Sequence, residues 1–256
     1  MKKKTVYEQP LNEFMKQILR LEYLFADIMY RLKGPAEWDN RAVINNLIAI
    51  CQFIARVELK NDLINNLQHN IQTLKHWHSK PDTDSDRLAK LLHKTEILLE
   101  KLSLIEEPLG SSLSHHHLLR MVRQRSIIIG GSCGSDLPSF HHWLQKNPKQ
   151  RQTDLNDWLA PLEPLREAIS LNLYFIRNNA QVSRQIAVDG FFQTNLDTNN
   201  SNQIIQVAMP LDHPCYPDIK AGKHRLTIRF FDQPFAQQPP IQSQQDINFE
   251  LFCCMN

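Results

Sequence analysis

From residue 10 to about residue 180 apolar side chains recur every three or four positions, and beyond that point the rhythm changes. Leu11, Phe14, Ile18, Leu21, Phe25, Ile28 and Leu32 advance by alternating steps of three and four, which draws one stripe along a helix. Pro10 suits the first turn of that helix and Gly34-Pro35 ends it. Val43, Leu47, Ile50, Ile54 and Val57 repeat the spacing, and the run continues through Leu59, Leu63, Leu67, Ile71 and Leu74 toward Trp77. Ser79–Ser85 reads as a loop with capping residues and Leu88–Leu104 as a further helix. Leu155, Trp158, Leu162, Leu165, Ile169 and Ile176 mark a last long helix, bent at Pro164. Stripes this long imply an antiparallel bundle, or helices that finish their burial against a second subunit.

Past residue 180 the apolar segments are short, β-branched or aromatic, and partly alternating: Arg184–Gln193, Gln203–Met209, Arg225–Phe231 and Asp246–Cys253. Asn-rich (Asn195–Asn202) and Gln/Pro-rich (Gln233–Gln245) loops separate them. Leu226, Ile228 and Phe230 share one face, as do Ile247, Phe249 and Leu251, so a small antiparallel sheet with one covered face is expected. Thr5–Glu8 is strand-like but too short to stand alone, and it is predicted to pair into this C-terminal sheet. The fold class that follows is α+β: an N-terminal antiparallel helical bundle domain over residues 10–180, then a small antiparallel β domain over 181–256 that takes in an N-terminal strand at about 4–9.

The 256 residues are 42% hydrophobic and 22% charged, a globular balance. The longest clean apolar stretches, such as Ile127–Ile129, fall far short of the ~20 residues that span a bilayer. The start, MKKKTVYEQPLNEF, is basic but has no apolar h-region, so neither a signal peptide nor membrane association is expected. Five cysteines (Cys51, Cys133, Cys215, Cys253, Cys254) with no CxxC spacing read as reduced thiols of a cytoplasmic protein. Net charge is +2 but uneven: residues 111–151 carry +5, residues 220–229 carry +4, and the remainder is left with −7. A mildly acidic body with two basic patches points to an acidic partner engaged at one place, although solvated surface accounts for either patch alone.

Between Arg120 and Trp143 the chain reads RMVRQRSIIIGGSCGSDLPSFHHW, dense in arginine, glycine and histidine. Gly130-Gly131-Ser132-Cys133-Gly134 matches the G-x-S-x-G nucleophile elbow, with His213 or His224 as a formal base. That motif acts only between a strand and a helix of a parallel sheet, and the preceding hundred residues are helical, so a glycine turn is the better account. His76 and His78 diverge on a helix, and His115–His117 sit at a helix start. His141, His142 and Cys133 form a weak candidate metal set; surface histidines are the plainer reading. The glycine run lacks the residues of a phosphate loop. Cys253-Cys254 reads as packing and Glu106-Glu107 as a solvated helix end. No catalytic residue, metal or cofactor is expected.

The basic residues are more coherent. On a helix over Ser114–Arg125, His117, Arg120 and Gln124 share a face with Arg123 at its edge, opposite Leu118, Leu119 and Val122. On a strand beginning near Lys223, the period of two puts Lys223, Arg225, Thr227 and Arg229 opposite Leu226, Ile228 and Phe230. Arg225 and Arg229 then lie about 13 Å apart. Arginine suits an extended acidic peptide because its planar fork binds carboxylates bidentately, and the two surfaces are candidates for the walls of one pocket. Nucleic acid is the alternative polyanion, weakened by the scarcity of aromatics among the arginines.

Several separated motifs, in order, resemble the ZapD family of bacterial cell division proteins. Tyr7-Glu8-Gln9-Pro10-Leu11-Asn12-Glu13 with Arg20-Leu21-Glu22-Tyr23 is similar to the family's opening. Val122-Arg123-Gln124-Arg125, Gly130-Gly131, Cys133, Asp136-Leu137-Pro138, His141 and Trp143 resemble its central signature. His224-Arg225, Ile228-Arg229-Phe230 and Phe249-Glu250-Leu251 with Cys253-Cys254 resemble its last strands. Ile129 stands where a proline is expected and Ser135 where an aromatic is common. The resemblance implies a non-enzymatic, cytoplasmic division factor at midcell. It would be a symmetric homodimer of helical and β domains that binds the acidic C-terminal tail of FtsZ and bundles FtsZ filaments, with no membrane or nucleic-acid partner. Carried over position by position, it implies Arg20, Arg56, His141, Arg225 and Arg229 as tail-binding residues, with His117 next. Arg120, Arg123 and Lys223 join them from the helical and strand faces.

Overall fold

Pro10 does not open a helix; it closes a strand. In the computed structural model, which describes residues 3–78, 85–197, 201–222, 224–233, 235 and 237–255, β1 (Lys4–Pro10) pairs antiparallel with β4 (Asn202–Pro210), Tyr7 opposite Val207 and Pro10 opposite Ile204. β1 is an edge strand, where a residue without an N–H can sit without leaving a ladder bond unmade. The helix signal lies two residues later, where Asn12 Oδ1 accepts the Met15 N–H at 2.8 Å and caps α1 (Glu13–Arg31). Ile18, Leu21, Phe25 and Ile28 are buried along it as the stripe predicts, with Met15 more deeply buried than Phe14.

The chain divides into two units, Met1–Leu19 with Leu173–Asn256, and Arg20–Asn172. The second unit is helical. The apolar run expected to continue from Val43 to Trp77 breaks into α2 (Glu37–Ile54) and α3 (Leu59–His78), bent by 85°. The reason is a slip of phase: the step from Val57 to Leu59 is two residues, about 200° around a helix, so no single face can carry both. α3 pairs with α4 (Ser85–Ser103), and most of the loop expected at Ser79–Ser85 lies outside the described residues. After α5 (Ser111–Ser114) come α6 (His117–Arg125), α7 (Pro138–Leu144), α8 (Pro148–Leu159) and α9 (Glu163–Asn178). The last long helix expected from the sequence is therefore two, separated by a 3-10 turn at Ala160–Leu162 around Pro161 rather than bent at Pro164. No single helix among the described residues is long and apolar enough to cross a membrane.

Arg151 organises this unit. It is 4% exposed; its Nε donates to Asn40 Oδ1 at 2.6 Å and its terminal nitrogens donate to the carbonyls of Leu144, Lys146 and Pro35. Four acceptors on neighbouring segments compensate the burial of one cation. Trp143 packs against Trp158 with ring centroids 5.3 Å apart and planes tilted by 30°, and it donates to Asp154 at 2.8 Å, which fixes α7 against α8.

In the other unit the single expected sheet is two. One has the order β1-β4-β8-β2, from β2 (Ala180–Ala187), β4 and β8 (Ile247–Met255); the other has β3 (Phe191–Asn195), β6 (Arg225–Asp232) and β5 (Cys215–Ala221) in the order β3-β6-β5, with β7 (Ile241–Gln242) on β6. The segment Arg184–Gln193 is not one strand: Asp189 (φ 48°) and Gly190 (φ 69°) turn the chain from the first sheet into the second. A Cβ on Gly190 would sit 2.3 Å from the Ser243 carbonyl oxygen, so only glycine fits. The inner faces share one core, in which Val207, Leu251, Ile228 and Phe230 are buried and Phe192 meets Phe249 edge-on at 5.3 Å. On the opposite face of the first sheet, Arg177 of α9 forks onto Glu8 of β1 at 2.9 and 2.7 Å, and Gln206 donates to the same carboxylate at 2.6 Å. Burial pushes the Glu8 carboxyl up, but the hydrogen bonds from Arg177 and Gln206 and the Arg177 charge outweigh it and hold it below the ordinary carboxylate range.

Candidate functional site

The arginines divide by what their guanidinium groups touch. Arg31 pairs with Asp27 and Asp39, Arg166 with Glu163, Arg177 with Glu8, and Arg151 with the carbonyls above. These hold the fold. Arg20, Arg56, Arg120, Arg123, Arg225 and Arg229 make no side-chain hydrogen bond or ion pair among the described residues, a condition that Arg125 and Arg184 share. A cation with no internal counter-charge is available to an anion from outside.

Three of these arginines meet. Arg56, in the turn after α2, and Arg120 and Arg123 of α6 rim a cavity of about 560 Å³ whose walls include Leu47, Ile48, Cys51, Leu109, Leu113 and Leu119. α5 and α6 pack against α2. The helix expected over Ser114–Arg125 starts at His117, after a break at His115-His116, but its faces are those predicted: Leu119 and Val122 are buried, His117, Arg120 and Gln124 exposed, Arg123 half-buried. Gly110 closes the cavity's far wall. It has φ +76°, and a Cβ there would come within 3.0 Å of Ile54 Cδ1 and 3.5 Å of Cys51 Sγ. Burial pushes the Cys51 thiol up to about 11 against the opposing charge of Arg123, so it lines the wall as a neutral group. An apolar floor under three cations is chemically suited to an anionic group that carries apolar atoms beside it.

Arg20 on α1, His117 and His141 are exposed and do not line the cavity. His141 lies against Gly134, where a Cβ would be 3.2 Å from its Cγ. Lys223 lies outside the described residues. Arg225 and Arg229 project from β6 opposite buried Leu226, Ile228 and Phe230, as the period of two requires. Arg225 faces Asn195 of β3, and Arg229 faces Phe191 of β3 and Asp218 of β5.

The G-x-S-x-G segment lies in turns between α6 and α7 with no strand before it, so the context of a nucleophile elbow is missing. His213 Nδ1 is occupied by Cys215, which donates its backbone N–H at 3.3 Å and places Sγ at 3.0 Å. Among the described residues no three His, Cys, Asp or Glu side chains are grouped to hold a metal; the His78 side chain is outside that set. Sequence reasoning missed Arg41, whose Nη1 donates to the Ser132 carbonyl at 3.0 Å and whose guanidinium lies over Trp38 (5.4 Å) and Phe140 (4.9 Å). It pins the glycine turn to α2. Only the i, i+3 spacing of Trp38 and Arg41 hinted at the stack.

Comparison with known proteins agrees along the whole chain. The family model for the cell division protein ZapD matches residues 19–229. The cell division protein ZapD of Methylococcus capsulatus is 33% identical over 255 residues, covering 100% of both chains. Those of Aromatoleum aromaticum (33%; 97% of this chain and 96% of the relative) and Dechloromonas aromatica (32%; 97% and 98%) are similar over 248 residues each.

Proposed function

This chain belongs to the ZapD family of cell division proteins, and on that premise we propose that it binds the acidic C-terminal tail of FtsZ. As a homodimer in the cytoplasm it then crosslinks neighbouring FtsZ filaments in the Z-ring at midcell. The observation that carries this reading is the set of arginines without internal partners, three of them rimming an apolar cavity. Arg225 and Arg229 on the β unit supply further fork-shaped donors for carboxylates. A partner helix surface for the dimer is available on α1, where Tyr23 and Tyr30, seven residues apart, are 73% and 75% exposed. The relatives bear the name of a cell division protein, which is not an enzymatic activity.

Valency supplies the mechanism. A dimer presents two tail sites and a filament displays many tails, so a weak single contact becomes strong crosslinking between filaments. The test is co-sedimentation with GTP-assembled FtsZ, full-length and lacking its C-terminal tail. The protein is expected to pellet only with tailed filaments, and Arg120→Glu or Arg225→Glu to remove most of that pelleting. Equal pelleting without the tail places the contact on the polymer body instead and overturns the reading.

A further inference from the structure

The outward face of the second sheet is not simply basic. Around Arg229 stand three aromatic rings: Phe191 directly across on β3, Phe231 two residues along β6, and Tyr216 of β5 opposite Phe231. Arg229 lies over the Phe191 ring at 6.0 Å, and Tyr216 and Phe231 stack with centroids 6.1 Å apart. Phe191 is 38% exposed although the next residue, Phe192, points the other way and packs against the core. We propose that Phe191, Tyr216 and Phe231 form, with Arg229 and Arg225, a mixed aromatic and basic platform for an acidic peptide that also carries an apolar side chain. This rests on the tail-binding reading and adds to it what the tail must contain.

The geometry sets the pattern. Side chains on one face of an extended chain repeat about every 6.6 Å, the same interval that separates Arg229 from Phe231 on β6. An extended peptide lying along β6 therefore places a carboxylate on Arg229 and, two residues on, an aliphatic or aromatic side chain against Phe231 and Tyr216. A second carboxylate four residues from the first, on the other side, reaches Arg225. Phe191 backs the guanidinium by a cation–π contact, which leaves its N–H donors for the carboxylate. Aromatic and arginine side chains side by side are also what single-stranded nucleic acid uses. Here Asp218 sits directly across from Arg229 and its carboxylate is only partly answered by Lys220 at 3.6 Å. A phosphate backbone crossing the sheet carries a charge past that carboxylate at every step, whereas a peptide brings one near it only where its carboxylate meets Arg229.

The experiment measures fluorescence anisotropy of a labelled FtsZ C-terminal tail peptide with the full-length protein, at about 50 mM and about 300 mM KCl. The protein variants are Arg229→Glu, Phe191→Ser and Tyr216→Ser. A second peptide has its apolar residues replaced by serine, and an oligo-dT is the nucleic-acid probe. The expected result is loss of tail binding in Arg229→Glu and weakening by about three- to tenfold in each aromatic variant, at both salt concentrations. The serine-substituted peptide should lose the same factor with wild type and little more with the aromatic variants. Tail binding by wild type that none of the variants changes overturns the platform and leaves the tail-binding reading intact at the helical cavity. No tail binding by wild type overturns both. Binding of oligo-dT without the tail, lost in Phe191→Ser, overturns the peptide assignment in favour of nucleic acid.

Discussion

Burial pushes the Cys215 thiol up to about 11, with the charge of Asp232 adding to it, and the Cys254 thiol up to about 12, with Glu8 and Cys253 adding to it. Cys51 sits at about 11 for the same reason. Exposed Cys133 goes the other way, because a hydrogen bond from Ser135 and the backbone N–H of Asp136 hold its thiolate below the ordinary thiol value. Native protein at pH about 8 is therefore expected to show one fast-reacting thiol toward iodoacetamide, absent in Cys133→Ser, with Cys51, Cys215 and Cys254 reacting only on unfolding. Fast labelling of Cys51 instead would mean that burial does not hold its thiol in the neutral form. Which of the five cysteines is exposed was not legible in the sequence, where they differ only in neighbours. By contrast, the outward placement of Arg225 and Arg229 was legible, because strand alternation alone separates them from Leu226 and Ile228.

The edge strand β1 is secured by more than its ladder, since the Glu8 carboxylate receives Arg177 from α9 and Gln206 from β4. The folded-state pKa of Glu8 lies below its unfolded value, so this contribution is fully present above the unfolded value of about 4.3 and is lost as pH falls through the lower folded value. Urea unfolding should show a stability limb that drops in that acid window. Glu8→Gln is expected to flatten the limb and to lower stability at neutral pH by about 1–2 kcal/mol; an equally steep limb in the variant would assign it to other carboxylates. Elements with local patterns were readable: α1 from its stripe, β6 from its alternation, the pairing of the N-terminal strand from its being too short alone. β5 was not, because Pro217 and Asp218 demote CYPDIKA as a strand. Its buried Cys215, Pro217 and Ile219 make sense only once β6 lies beside it.

For the whole molecule, the attachment to filaments proposed above is electrostatic and therefore depends on ions. The arginines are partly exposed, so their attraction for carboxylates is screened. Co-sedimentation with FtsZ should fall steadily with added KCl and be mostly gone near 1 M, where the Debye length is ~3 Å. The fraction that persists measures the apolar contact at the β platform and the cavity floor, and it should shrink in Phe191→Ser. Pelleting unchanged across that range would mean that arginine–carboxylate contacts do not drive assembly.

Sequence alone determined the change from helix to sheet, the inward and outward faces of the helix and strand that carry Arg120, Arg123, Arg225 and Arg229, and the family. Each of these depends on residues close together in the chain, or on motifs in order along it, and periodicity or motif order is a one-dimensional property. The second sheet, the role of Arg151, the meeting of Arg56 with Arg120 and Arg123, and the gathering of Phe191, Tyr216 and Phe231 around Arg229 were decided only by tertiary structure. Those depend on which segments far apart in sequence become neighbours, and that choice is made by burial and pairing summed over the whole unit rather than by any one segment's pattern.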